Sequence, residues 1–331
     1  VFEVITRLRG FPGVAEVYPN YKRSLNRVPN DQYYQLQQEE LAVVRAQQAW
    51  DIQTGSADIL VGVIDTGVDY TLADLIPNLV LPGVNVREDW VPDEVMDDSG
   101  HGTAVSGVIG AVGNNEIGVV GINWTIKMLP IRACGMMLDC DLFDEVEGID
   151  VARERGCDVI NLSIGGVGTI SVEEKAVTAA YEAGCVIVAA AGNRSEDIGG
   201  GLLYEATGDP DIDRQSLYYP AGLPEVIGVG AIENNGERAL FSNYGEDILS
   251  LMAPGVDIVT TVPEEECYLY TGDGPPYGFA TGTSFSTPMA RMSRSRKCVW
   301  RMRTASFRTA CATAFIVPTS TTSCLPRVMA V

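Results

Sequence analysis

Strands and helices alternate along the middle of this chain, and that alternation limits the fold more than any other feature. Ile59-Leu60-Val61-Gly62-Val63-Ile64 is a near-continuous apolar run, the pattern of a strand covered on both faces. Similar short runs recur at 128–131, 158–162, 186–190 and 226–229. Helical periodicity fills 142–155 and 171–183 between them, and another apolar helical pattern follows residue 101 as far as 112. Strand, crossover helix, strand predicts an α/β fold. Its mostly parallel sheet carries helices on both faces and right-handed connections. Active groups of such sheets collect at the carboxyl ends of the strands.

Three polar stretches fall where this pattern places strand ends and helix starts. Asp65-Thr66-Gly67 closes the first apolar run; on its own it reads equally as a turn cap. Asp98-Ser99-Gly100-His101-Gly102-Thr103-Ala104 holds the only histidine of the chain. A lone histidine is often structural, but a glycine on each side lets other groups come close. Gly282-Thr283-Ser284-Phe285-Ser286-Thr287-Pro288 puts a small hydroxyl pair after a turn-permissive glycine, with Pro288 suited to a first helical turn. By itself it is a helix cap. Taken together, the three supply a nucleophile, a base and a carboxylate to orient that base, in one of the known chain orders.

Charge and length narrow the alternatives. A net charge of −21 argues against nucleic acid as a partner, since phosphate binding needs a basic surface. No apolar run is long enough to span a membrane. With 331 residues there is room for one large domain and a small appendage. The eight cysteines show no paired C-x-x-C spacing; Cys134 and Cys140 could close a short loop or stay free.

The motifs together resemble the subtilisin-like serine proteases, the subtilases, from about residue 10 to 290. Val63-Ile64-Asp65-Thr66-Gly67-Val68-Asp69, His101-Gly102-Thr103-Ala104-Val105-Ser106-Gly107 and the Gly282–Pro288 stretch match that family's aspartate, histidine and serine motifs. The resemblance implies a serine endopeptidase: Ser284 as nucleophile, His101 as proton shuttle, Asp65 as its orienter. Ala189-Ala190-Ala191-Gly192-Asn193 matches the oxyanion segment, with the Asn193 amide and the Ser284 backbone N–H as donors. Ser163, Ile164 and Gly165 match the strand that an extended substrate joins, and Ala190 and Gly192 line the same cleft. Gly113, Asn115, Ile117 and Val119 match a calcium loop, completed by Asp74 and by Asp31 from the preceding arm; Leu72-Ala73 replaces the family's usual His-Pro there. The acidic stretch Asp209-Pro210-Asp211-Ile212-Asp213 reads as a solvated loop or a second cation site.

The resemblance also divides the chain. Residues 1–28 look like a small α+β propeptide remnant with its connector, an intramolecular inhibitor of a secreted monomeric enzyme. Residues 29–290 are the catalytic domain, opening with an extended arm and a helix. Beyond Met289-Ala290 the resemblance stops. Residues 291–331 hold 8 of the 23 Lys and Arg and none of the 44 Asp and Glu. They read as an aberrant basic tail, the product of a shifted reading frame, or else as a genuine or disordered extension. Two other readings stand beside the protease: an inactive relative that only binds peptides, and an esterase on another α/β fold, whose chain order differs.

Overall fold

Gly55–Asp65 forms the first strand, β1, longer at its start than the apolar run alone predicts. Around it the computed structural model, which describes residues 27–87, 93–167, 171–198, 218–245, 248–270 and 274–290, builds a seven-stranded sheet. The other members are β2 (Val84–Asn85), β3 (Thr125–Arg132), β4 (Val159–Leu162), β6 (Val186–Ala190), β8 (Val226–Ile232) and β9 (Leu251–Pro254). Their order is β2-β3-β1-β4-β6-β8-β9, and every pairing is parallel. Two short antiparallel pairs lie outside it: β5 (Gly166–Val167) with β7 (Tyr218–Tyr219), and β10 (Ile258–Thr261) with β11 (Tyr277–Ala280).

The strands are apolar throughout because both faces are covered. Val61 and Val63 point to one side, where they pack with Ala104, Val105, Val108 and Ile109 of helix α3 (His101–Gly110) and Phe285 and Met289 of α6 (Thr283–Met289). Ile64 and Ile160 point to the other, onto Val146, Ile149 and Ala152 of α4 (Leu142–Glu154) and Ala176, Val177 and Ala180 of α5 (Ser171–Ala183). The period of two divides each strand between two cores. Each fully buried Val, Leu or Ile contributes about 1.5–3 kcal/mol against exposure.

Two expectations need correction. The arm does not end in one helix. A 3₁₀ turn at Tyr34–Leu36 leads into α1 (Gln38–Val43) and α2 (Ala46–Trp50), separated by Arg45 in the left-handed region at φ 51°. The period-3.6 pattern is shared by two short helices whose axes the Arg45 turn redirects, so Trp50 reaches its own small core with Tyr34, Leu41 and Val120. And Pro288 is not in a first turn: α6 begins at Thr283, with Pro288 inside it.

Cys134 and Cys140 are bonded, closing a loop that follows β3. No described helix is long and apolar enough to cross a membrane. Residues 1–26 of the remnant, the Asp209–Asp213 stretch and the 291–331 tail lie outside the described residues.

Candidate active site

Asp65 is the last residue of β1 and is fully buried. Its carbonyl accepts the N–H groups of Ala133 and Cys134 at 2.9 and 3.2 Å, which pins the strand end. Its Oδ1 accepts the Thr66 N–H at 2.8 Å and lies 2.7 Å from His101 Nδ1. That contact puts the ring proton on Nδ1 and leaves Nε2 with a free lone pair. The glycines beside His101 make the approach possible. Gly100, at φ 96°, turns the chain into α3, and a Cβ on Gly102 would collide with the Gly67 carbonyl. Burial pulls the His101 pKa down, but the Asp65 charge and hydrogen bond outweigh it and hold the imidazole above its ordinary value; Asp97 adds to the rise.

Asp97 is the residue the sequence motifs missed. It is buried, and both oxygens are saturated. Oδ1 accepts the Thr66 hydroxyl at 2.8 Å and the Ser99 and Gly100 N–H groups at 3.0 and 2.9 Å. Oδ2 accepts the Thr103 N–H at 2.8 Å and the Thr103 hydroxyl at 2.6 Å. Thr66 follows Asp65 and Thr103 lies two residues past His101, so one carboxylate ties the loops bearing both groups together. The neighbouring Asp98 makes a bidentate pair with the buried Arg132 at 2.8 and 2.9 Å, and Arg132 also reaches the Met96 carbonyl. The signal in the sequence was the Asp-Asp pair before Ser-Gly-His, which offers four acceptor oxygens to a loop of free N–H groups.

Ser284 stands in the first turn of α6, and Pro288 explains how it is held. A helical residue at 288 would donate its N–H to the Ser284 carbonyl four positions back; proline has none. The Ser163 hydroxyl donates to that carbonyl instead, at 2.8 Å. In return the Ser284 hydroxyl donates to the Ser163 carbonyl at 2.9 Å, and Asn161 Nδ2 steadies the Ser163 hydroxyl at 3.0 Å. The nucleophile candidate is thus locked to the end of β4. The His101 and Phe285 rings lie 5.5 Å apart, which brings α3 against the start of α6.

This constellation has counterparts. Residues 56–293 match the family described as Subtilase family, peptidase S8. The chain belongs to the subtilase family. A thermophilic serine proteinase of Bacillus sp. (strain AK1) is 35% identical over 285 residues, covering 86% of this chain and 63% of the relative. The major intracellular serine protease of Bacillus subtilis (strain 168) is 31% identical over 271 residues, covering 80% of this chain and 77% of the relative. Among solved structures, a protease from Pseudoalteromonas arctica PAMC 21717 superposes with a TM-score of 0.66 at 26% identity, over 80% of this chain and 84% of that one. This subtilase spans less than two thirds of the first of these relatives.

Asn193 follows β6. Its Oδ1 accepts the Thr283 N–H and the Thr283 hydroxyl, both at 2.9 Å. A backbone N–H can only donate, so the side-chain oxygen must face Thr283, and the amide nitrogen is turned away as a donor. That nitrogen would stand 3.3 Å from a Cβ built on Gly282, beside Ser284. Gly192 donates its N–H to the Thr283 hydroxyl at 3.1 Å and accepts the Asn243 N–H at 2.9 Å. Both its polar backbone groups are thus bonded within the protein. Ala190, the last residue of β6, is buried. Ser163, Ile164 and Gly165 follow β4 directly, and the Gly165 carbonyl accepts the Tyr218 hydroxyl at 2.6 Å.

Away from the cleft, the loop residues of this subtilase do assemble. Asp31 accepts the Asn114 and Asn115 N–H groups at 2.8 and 3.4 Å. Asp74 accepts the Asn115 side-chain amide at 2.8 Å and the Val119 N–H at 3.0 Å, and Asn115 Oδ1 accepts the Ile117 N–H. Burial lifts the Asp31 carboxyl, and burial with the nearby Asp31 charge lifts Asp74 to about 6. Two buried carboxylates and the Asn115 amide oxygen lie together here, oxygen donors of the kind hard cations take.

Proposed function

We propose that this subtilase is a serine endopeptidase. The observation that carries the reading is the 2.7 Å contact between the buried Asp65 and His101 Nδ1, with the His101 ring 5.5 Å from that of Phe285, the neighbour of Ser284. His101 takes the Ser284 hydroxyl proton as Oγ attacks the scissile carbonyl. Asp65 holds the tautomer and stabilises the imidazolium, which then protonates the departing amine; water repeats the cycle on the acyl-enzyme. The Asn193 amide nitrogen and the Ser284 N–H receive the oxyanion.

The bond from Ser284 to the Ser163 carbonyl gives substrate a part in the first step. An extended peptide joining Ser163–Gly165 offers its own N–H to that carbonyl. The serine hydroxyl is then released toward His101. Broad recognition through the backbone suits polypeptide substrates.

Asp31, Asp74 and Asn115, with the carbonyls of Gly113, Ile117 and Val119, would hold calcium, whose charge would offset the two carboxylates and tie the loop to the arm. Residues 1–28 are read as an intramolecular inhibitor, and the enzyme as a secreted monomer. The Cys134–Cys140 bond supports an oxidising compartment.

A fluorophosphonate probe with the full chain tests the central reading, beside casein hydrolysis with and without a chelator. We expect labelling of Ser284, loss of label in Ser284→Ala, and slower hydrolysis after chelation. Well-folded protein whose Ser284 stays unlabelled would leave a peptide-binding relative in place of an enzyme.

A further inference from the structure

Cys157 and Cys185 occupy equivalent places at the ends of neighbouring helices. α4 is followed by a left-handed glycine, Gly156 at φ 72°, and α5 by another, Gly184 at φ 114°. Gly156 donates its N–H to the Arg153 carbonyl at 3.1 Å, and Cys157 donates to Ala152 at 3.0 Å. Gly184 donates to Tyr181 at 3.1 Å, and Cys185 to Ala180 at 3.0 Å. Each glycine–cysteine pair therefore closes the same kind of helix cap. The chain then enters a strand, β4 at Val159 after the first cap and β6 at Val186 after the second.

Such a cap favours an apolar residue after the glycine, packed back on the helix. That accounts for burial: both cysteines are 3% exposed and share one core with Ala152 and Ala180. It does not account for a thiol at both places. β4 and β6 are adjacent and parallel, with Val159 opposite Val186. Asp158 therefore stands opposite Cys185, and Cys157 one residue further back. With strands about 4.8 Å apart and a rise of about 3.3 Å per residue, the two cysteine Cα atoms lie about 6 Å apart. A disulfide spans about 4.4–6.8 Å. The thiols are near enough to act on each other: burial first, then Cys185, pushes the Cys157 thiol up to about 12. Neither belongs to a disulfide in this structure. Cys157 Sγ lies 3.2 Å from where a Cβ on Gly62 of β1 would stand, on the side of β4 away from β6, so joining it to Cys185 takes a change of χ1 rotamer.

We propose that Cys157 and Cys185 form a second disulfide, made while the chain folds in the presence of a low-molecular-weight disulfide of the glutathione type, and absent from chain folded among thiols. The thiolate of one cysteine attacks the reagent's sulfur–sulfur bond and expels one thiol, leaving a mixed disulfide. The other cysteine attacks the protein sulfur of that mixed disulfide and expels the second thiol. Two electrons pass from the pair to the reagent, and the two protons the cysteines lose end on the two released thiols. Timing follows from burial. A thiol at about 12 holds almost no thiolate near neutral pH, so the finished fold exchanges slowly and keeps the state set during folding. The bond ties the starts of β4 and β6, whose far ends lead to Ser163 and Asn193. It braces the frame of the site without touching it, and makes chain folded in an oxidising compartment outlast chain folded in a reducing one. The inference does not depend on the endopeptidase reading.

The test uses the full chain carrying Ser284→Ala, to exclude self-digestion, refolded from denaturant either with oxidised and reduced glutathione or with dithiothreitol. Remaining thiols are alkylated in denaturant, and unreduced peptides are mapped by mass spectrometry. The glutathione sample should yield the Cys157 and Cys185 peptides joined, two hydrogens lighter than their sum. The dithiothreitol sample should yield both alkylated. Melting temperatures give the second readout. The Cys134–Cys140 bond also responds to the two buffers, so Cys157→Ala, refolded both ways, supplies its share of the difference. The parent's difference should exceed that share by on the order of 10 °C, the scale for closing a loop of this length in a domain of this size. Both cysteines alkylated in glutathione-refolded protein of native circular dichroism would overturn the proposal. So would either one joined to Cys267, Cys298, Cys311 or Cys324 instead, or an equal melting difference in parent and variant. Where Cys157→Ala fails to fold, the peptide map of the parent decides alone.

Discussion

Replacing Asp97 by asparagine should destabilise this subtilase and slow it, through geometry alone. The magnitude follows from five accepted hydrogen bonds. The amide keeps one acceptor oxygen, which serves best on the side of Thr66, Ser99 and Gly100, where three donors converge. Its NH₂ must then face Thr103, whose N–H and hydroxyl both donate to Asp97 now. The hydroxyl can rotate; the backbone N–H cannot, and an orphaned buried donor costs about 1–3 kcal/mol. The remaining three bonds fall from charge-assisted to neutral, roughly halving each. Set against this, a buried amide is cheaper to desolvate than a carboxylate. The net loss is about 2–4 kcal/mol, read as a fall in the urea midpoint. Because Thr66 and Thr103 flank Asp65 and His101, turnover should drop about 10–100-fold, the cost of a displacement on the order of 1 Å, with KM little changed. A variant with a native midpoint and native kcat would show that the clamp positions nothing.

Other outcomes follow from neighbouring groups. Asp65→Asn removes the charge that raises His101; the acidic limb of kcat/KM should move to lower pH as its height falls by about 10⁴, a scale known from subtilisin itself, checked with a peptide anilide across pH 5–9. Stability has the matching sign: the raised imidazole stabilises the fold below its ordinary pKa, and that gain is lost as pH rises through the folded value. Asp74 is a carboxyl raised to about 6, so the folded state loses stability as pH climbs from about 4 to 6. Millimolar calcium should therefore raise the melting temperature more at pH 8 than at pH 5, and Asp74→Asn should erase the difference; equal shifts at both pH values would count against Asp74 as a ligand. Ser163→Ala leaves the Ser284 carbonyl without its donor and should cost about 1–3 kcal/mol in thermal unfolding.

Much of this molecule was legible from local pattern because its strands are covered on both faces. Ile59–Ile64 could be read as a buried strand from composition alone; the structure then divides it by alternation, Val61 and Val63 to one core and Ile64 to the other. Asp65, His101 and Ser284 stood out because their chemistry is rare in turns bounded by glycine. What stayed hidden depends on meetings between distant segments. Asp97 looked like one more loop acid until Thr66, from another strand end, came within 2.8 Å. Glu145 and Glu173 sit at helical positions where a solvated glutamate is ordinary, and only packing shows that both are buried. Pro288 misled for the same reason. Proline suits a first turn when the local chain decides; here it suits a later one, because Ser163, 121 residues before Ser284, satisfies the carbonyl that proline leaves free. Substituting alanine at 288 would supply the missing N–H, and the helix and Ser163 would then compete for one acceptor. The exchange between Ser163 and Ser284 depends on that proline, a feature no local propensity could have revealed.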